Sequence, residues 1–141
     1  MRGHRPGSVT HMAFVDSSFW IAYLRASDRH HAEALRLVEE IQLLEKIYVT
    51  SGIVHEVVNH LFKADGKRKA LETLRLFLVT PNIEIIFLNE PVWEAEIAYF
   101  TQFDFSLTDA QIVAAMETKA DPDLYSFDKG FGQIEWLTRI F

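Results

Sequence analysis

The sequence predicts an α/β protein in which a parallel sheet of about five strands is covered by helices on both faces. Three observations carry this. Short apolar runs alternate along the chain with segments whose apolar residues recur every three or four positions, the pattern of repeated β–α units. The 141 residues suffice for one core, which at this length buries roughly 68% of the unfolded surface. The composition, 49% hydrophobic and 24% charged with no Gly-, Pro- or Ser-rich tract, excludes a disordered or fibrous chain.

Taken in order, Ala13–Val15 is an apolar run ending at Asp16, and Phe19, Trp20, Ala22, Tyr23 and Leu24 follow at helical spacing. This predicts a strand, a turn and a helix. A second helical period runs from His31 to Glu45, and Ile47–Val49 is a short strand. Thr50, Ser51 and Gly52 punctuate that strand and can cap a helix over Ile53–Lys63. Ala64–Lys69 reads as a basic, Gly-containing turn, and Ala70–Val79 as a helix stopped by Pro81. Ile83–Leu88 is expected as a strand, Pro91 to Thr101 as a helix, and Leu107–Lys119 as another. Leu124–Phe127 and Trp136–Ile140 complete the predicted strands. No internal repeat or domain boundary is apparent.

The formal charge of −6 has the wrong sign for binding nucleic acid through bulk electrostatics. Divalent cations would reverse the field locally, so an acidic site can still attract a phosphate. Residues 1–11 carry Arg2, Arg5, Pro6 and Gly7 without an apolar segment, and Met12 stands directly before the first hydrophobic run. They read as an expression leader or disordered segment, with residues 12–141 as a single domain. Without the two leader arginines the charge becomes −8. Zero cysteines exclude disulfides and thiolate metal sites. No apolar run approaches the roughly 20 residues that cross a bilayer, and a cytoplasmic location is expected.

In a parallel sheet, ligands bind beyond the carboxyl ends of the strands, so position alone nominates site residues. Asp16 closes the first strand, Glu56 lies in the helix after the second, Asp109 begins the helix after Leu107, and Asp128 follows Leu124–Phe127. Each has a structural reading too. Asp16 or Ser17 can cap a helix, and Thr108 with Gln111 spells a T-x-x-Q capping box around Asp109. Glu56 can be a solvated glutamate, and Asp128 a turn aspartate before Lys129-Gly130. Together the four are more informative, because clustered carboxylates repel unless a cation lies between them, and their oxygens suit Mg²⁺ or Mn²⁺.

The segments FVDSSFWIAYL, VTSGIVHEVVNHL, FSLTDAQIVAAM and LYSFDKGF resemble, in order and spacing, the four acidic motifs of PIN-domain ribonucleases, in particular VapC-like toxins of type II toxin–antitoxin systems. The match runs from Met12 to about Gly132. The resemblance implies a PIN-like three-layer α/β/α fold and hydrolysis of RNA phosphodiesters with Mg²⁺ or Mn²⁺, leaving a 5′-phosphate and a 3′-hydroxyl. It implies Asp16, Glu56, Asp109 and Asp128 as metal-binding acids, with Ser17 and Ser106 as hydroxyl supports. It also implies a small antitoxin as partner, and a homodimer is expected. Two other expectations stay beside it: a non-toxin PIN nuclease of RNA processing, or a PIN-fold binding module without catalysis.

Other features serve less well. His55-Glu-Val-Val-Asn-His60 nearly spells H-E-x-x-H, but five steps at about 100° each set the two rings roughly 140° apart on a helix. His30 and His31 are expected to face solvent at a helix start. Lys63, Lys67, Arg68 and Lys69 are a solvated turn or a grip on RNA phosphates beside the acidic cleft. Phe19, Trp20 and Tyr23 are candidates to line a groove for a partner or second subunit. A haloacid-dehalogenase-type phosphotransferase would need Asp where Ser18 stands, and a receiver domain would need an acid pair that this chain lacks.

Overall fold

A computed structural model describes residues 11–141. The leader assigned to residues 1–11 therefore lies outside the described residues except at its last position. His11 belongs to the folded part: its Nε2 lies 3.1 Å from Asp123 Oδ2, and its carbonyl accepts from Glu45 N at 2.9 Å.

Strands β1 (Met12–Val15), β2 (Lys46–Thr50), β3 (Ile83–Ile86), β4 (Asp123–Tyr125) and β5 (Thr138–Ile140) form one sheet in the order β3-β2-β1-β4-β5. Every pairing is parallel, with Phe14 opposite Tyr48 on one side and Leu124 on the other. The first three strands step outward in one direction and the last two in the other. The topology therefore reverses between β1 and β4, where an open α/β sheet leaves its crevice.

The helices are α1 (Ser17–Leu24), α2 (His31–Ile41), α3 (Ser51–Asp65), α4 (Lys67–Val79), α5 (Glu90–Gln102) and α6 (Leu107–Lys119), with a 3-10 turn at Lys129–Gln133. α1 packs on α2 and α3, and α3 on α4, while α5 and α6 pack on each other. Right-handed crossovers in opposite directions along the sheet put these groups on its two faces, giving the expected three layers. The core runs through β1 and β2 into the helices, with Ala13, Phe14, Val15, Val49, Ile53, Val57 and Ile112 all fully buried. Side chains of Val, Leu, Ile and Phe buried in this way each contribute about 1.5–3 kcal/mol. α6 has Ala110 and Ile112–Met116 buried, so its middle turns are enclosed on all sides.

The structure corrects several boundaries. The helix begun at His31 stops at Ile41, since Glu45 is already bonded to His11 ahead of β2. The expected turn at Ala64–Lys69 shrinks to Gly66, whose φ of 92° breaks the chain between α3 and α4. Lys67, Arg68 and Lys69 are thus the first turn of a helix. Strand β3 ends at Ile86, with Phe87 exposed, and β4 ends at Tyr125. Phe19 and Trp20 do not line a groove: they are 1% and 5% exposed, and Trp20 Nε1 donates to the Val15 carbonyl at 3.0 Å. Two large rings next to the sheet bury more apolar area inward than any groove would leave them. No described helix is long and apolar enough to cross a membrane.

Candidate functional site

The site begins where β1 ends. Asp16 N continues the β1–β4 ladder by donating to the Tyr125 carbonyl at 3.0 Å, and Asp16 then turns out of the sheet to cap α1. Its carboxylate is 2% exposed and takes four hydrogen bonds. Oδ1 accepts from Ser17 N at 2.6 Å and Ser17 Oγ at 3.1 Å. Oδ2 accepts from Ser18 Oγ at 3.0 Å and Ser126 Oγ at 2.6 Å. Burial pushes the Asp16 carboxyl above its ordinary range, and the bonds from Ser126, Ser18 and Ser17 draw it back.

The two serines also tie the segment after β4 to the same carboxylate. Ser18 Oγ accepts from Phe127 N and Ser126 Oγ from Asp128 N, each at 3.0 Å. Asp128 in turn caps the 3-10 turn, its Oδ1 accepting from Gly130 N at 2.8 Å. Asp109 arrives from the opposite layer on the first turn of α6, and its backbone N donates to Ser106 Oγ at 3.1 Å. The helix cap is therefore Ser106, one residue before the helix, and the Thr108–Gln111 capping box does not form. The Asp109 carboxyl is pushed up to about 6, first by burial and then by the negative charges of Asp16 and Asp128. Three of the four expected acids thus share one electrostatic neighbourhood at the topological switch.

Glu56 is exposed on α3 and is not among the charges that raise Asp109. It lies one turn beyond Gly52, where a β-carbon would run into Gln111 Oε1 of α6, so glycine brings the first turn of α3 against the helix of Asp109. Among the described residues, no three acidic or histidine side chains are drawn together into a ready-made metal cage. The donor set nevertheless suits a hard cation. Mg²⁺ retains several waters and is held by one or two carboxylates plus substrate phosphate, and a divalent charge here would relieve the repulsion that raises Asp109.

Lys63 and the basic start of α4 are not beside the acids. Lys63 lies about 10 Å beyond Glu56 along α3 at 1.5 Å per residue. The Arg25 Nε–Asp65 Oδ2 bond, 2.9 Å, ties the far ends of α1 and α3 together, away from the sheet's carboxyl edge. Arg68 and Lys69 both approach Glu72, at 3.9 Å. His55 and His60 are exposed, and His55 Nδ1 lies 2.7 Å from the Ser51 carbonyl. His30 and His31 are half-buried rather than solvent-facing: His30 stacks on Phe127, and His31 Nδ1 lies 2.7 Å from the Ala22 carbonyl.

Ser18 and Ser126 escaped the reading of the sequence. Ser126 directly follows β4, so the strand-end rule that nominated Asp128 would also have nominated it.

This fold, with aspartates converging at the switch, belongs to the PIN-domain family, whose model matches residues 13–137 of the chain. The chain is 29% identical over 123 residues to the 23S rRNA-specific endonuclease VapC20 of Mycobacterium tuberculosis, covering 85% of this chain and 92% of that protein. The crystal structure of VapC20, a sarcin–ricin loop cleaving toxin, matches with a TM-score of 0.77 at 24% identity, over 86% of this chain and 93% of that one. VapBC2 from Rickettsia felis, bound to a DNA fragment of its promoter, matches with a TM-score of 0.71 at 15% identity, over 92% and 97% of the two chains.

Proposed function

We propose that this chain is a metal-dependent endoribonuclease and the toxin of a toxin–antitoxin pair. The observation that carries the reading is the coupling of Asp109 to Asp16 and Asp128 at the sheet's switch point, in a PIN domain similar to a 23S rRNA endonuclease. Asp16 and Asp109 would hold the principal Mg²⁺ or Mn²⁺, Asp128 would serve a second ion, and Glu56 would complete the shell or orient water. When bound, such ions activate water and stabilise charge on the leaving oxygen of the phosphodiester. The protein's own part is preorganisation. Ser17, Ser18 and Ser126 fix both oxygens of Asp16 before substrate arrives, and Ser106 fixes the turn that presents Asp109.

RNA is the substrate class, with 23S rRNA the first substrate to test. The partner is a small antitoxin, and the chain acts in the cytoplasm. The same reading includes a homodimer, for which the exposed Trp93, Ile97 and Phe100 on α5 offer an apolar face. Light scattering against the 16.3 kDa monomer tests that element separately.

The experiment is cleavage of ribosomal RNA by the purified chain with Mg²⁺ or Mn²⁺, with end-mapping of the products. Cuts bearing a 5′-phosphate and a 3′-hydroxyl are expected, and both EDTA and Asp16→Asn should abolish them. Cutting that survives metal removal and the Asp16 substitution, or ends carrying a cyclic phosphate, would refute the mechanism.

A further inference from the structure

The connection between α1 and α2 carries Asp28, Arg29 and His30. Asp28 Oδ1 accepts from His30 N at 2.8 Å, and Arg29 Nε donates to His30 Nε2 at 3.2 Å. The His30 ring lies flat on Phe127, with centroids 4.5 Å apart and planes 7° from parallel. Phe127 stacks in turn on Phe19 (6.1 Å, 17°), and Phe19 on Tyr23 (6.3 Å, 14°). Four nearly parallel rings therefore form a column rooted in the core at Phe19, with His30 as the half-buried end ring. The column stands at the acids: Phe127 sits between Ser126 and Asp128, and its N–H is held by Ser18, one of the three serines that bond Asp16.

An aromatic ring held rigidly at the edge of a phosphodiester-cleaving site is what an unstacked nucleobase needs. Single-stranded and loop RNA is commonly recognised by stacking on such rings, while guanidinium groups take phosphates or planar faces. We propose that His30 is a base-stacking platform for the nucleotide next to the scissile phosphate, with Arg29 reaching an adjoining phosphate. This rests on the endoribonuclease reading, and it makes His30 a substrate-binding residue with no part in proton transfer.

The test uses a short single-stranded RNA spanning the mapped cut, with 2-aminopurine beside the cleaved bond. It is bound to the Asp16→Asn protein so that the RNA stays intact. Protein with His30 in place should quench the probe. His30→Ala should lose the quenching and bind about 5- to 150-fold more weakly, the range set by one lost base stack. His30→Tyr should restore both, and it keeps the assay decisive should the alanine variant fold poorly. In otherwise unaltered enzyme, His30→Ala should raise KM with a smaller effect on kcat. Equal quenching and affinity in the alanine variant would overturn the platform, as would rescue by His30→Arg and not by His30→Tyr, which would assign His30 to a phosphate. If the parent itself cuts no RNA, the enzymatic reading fails; if the parent cuts and His30→Ala cuts with the same KM, the platform alone fails.

Discussion

At Asp16, one side chain is both the cap of a helix and a member of the acid cluster. Oδ1 caps α1 through Ser17 N, while the same buried carboxylate raises Asp109 across the crevice. Cap and ligand are compatible because the cap uses only one of about four lone-pair directions, and the other three are taken by serine hydroxyls, which can rotate to give place to a cation. The pH dependence of Asp109 follows from its raised pKa. Its carboxyl is pushed up to about 6 in the fold from an ordinary value of 3.8. Above pH 6 it is ionised whether folded or unfolded, and the metal-free fold bears the full cost of the raised pKa. Between about 6 and 4 the folded chain holds a proton that the unfolded chain has lost, so that cost is relieved as pH falls. Metal-free parent should therefore gain stability relative to Asp109→Asn as pH falls from 7 to 4, read from urea midpoints across the window. A constant difference would show that Asp109 does not titrate there.

The elements divide by how locally their limits are set. The sequence predicts α6 with the bounds it has, Leu107–Lys119, because its apolar period lies wholly within the element. Its cap stands two residues before the expected Thr108, because Ser106 and Thr108 are both competent caps and the path of the preceding chain chooses between them. The start of α4 at Lys67 differs from the expected Ala70 for the opposite reason. Three consecutive basic residues suggested a turn, whereas the break is made by Gly66 alone. No atom lies within 4 Å of where a β-carbon would sit at Gly66, so Gly66→Ala tests the backbone in isolation, and at φ 92°, ψ 175° the expected loss is about 1–3 kcal/mol. The converse holds at Ala120, the left-handed cap of α6 at φ 53°. Ala120→Gly should raise stability by up to about 1 kcal/mol. Chemical denaturation of both variants should give opposite signs, and equal signs would show that φ does not govern these two caps.

Across the whole molecule, the site exists only because distant segments meet: Asp16 and Ser126 are 110 residues apart and bonded at 2.6 Å. Strand-end logic could nominate the acids, but it could not say that three aspartates couple while Glu56 stays exposed, since helix rotation and interlayer packing decide that. The decisive test is therefore one that senses the set. Metal that binds only the native state stabilises it by mass action, about 2.7 kcal/mol at a hundred times Kd. In a chain of this size that is a rise of several degrees, on the order of 2–4 °C per kcal/mol. Mn²⁺ should produce such a rise in the parent, a much smaller one in Asp16→Asn, and an intermediate one in Glu56→Gln if Glu56 only completes the shell. Without metal, Asp16→Asn should melt at the parent's temperature or above. Asparagine keeps the oxygen that Ser17 N bonds while removing a buried charge that repels Asp109. Differential scanning fluorimetry reads both quantities in one experiment. A clear loss of stability in metal-free Asp16→Asn, with an undiminished response to Mn²⁺, would reduce Asp16 to the cap of α1 and leave the three aspartates without a shared ion.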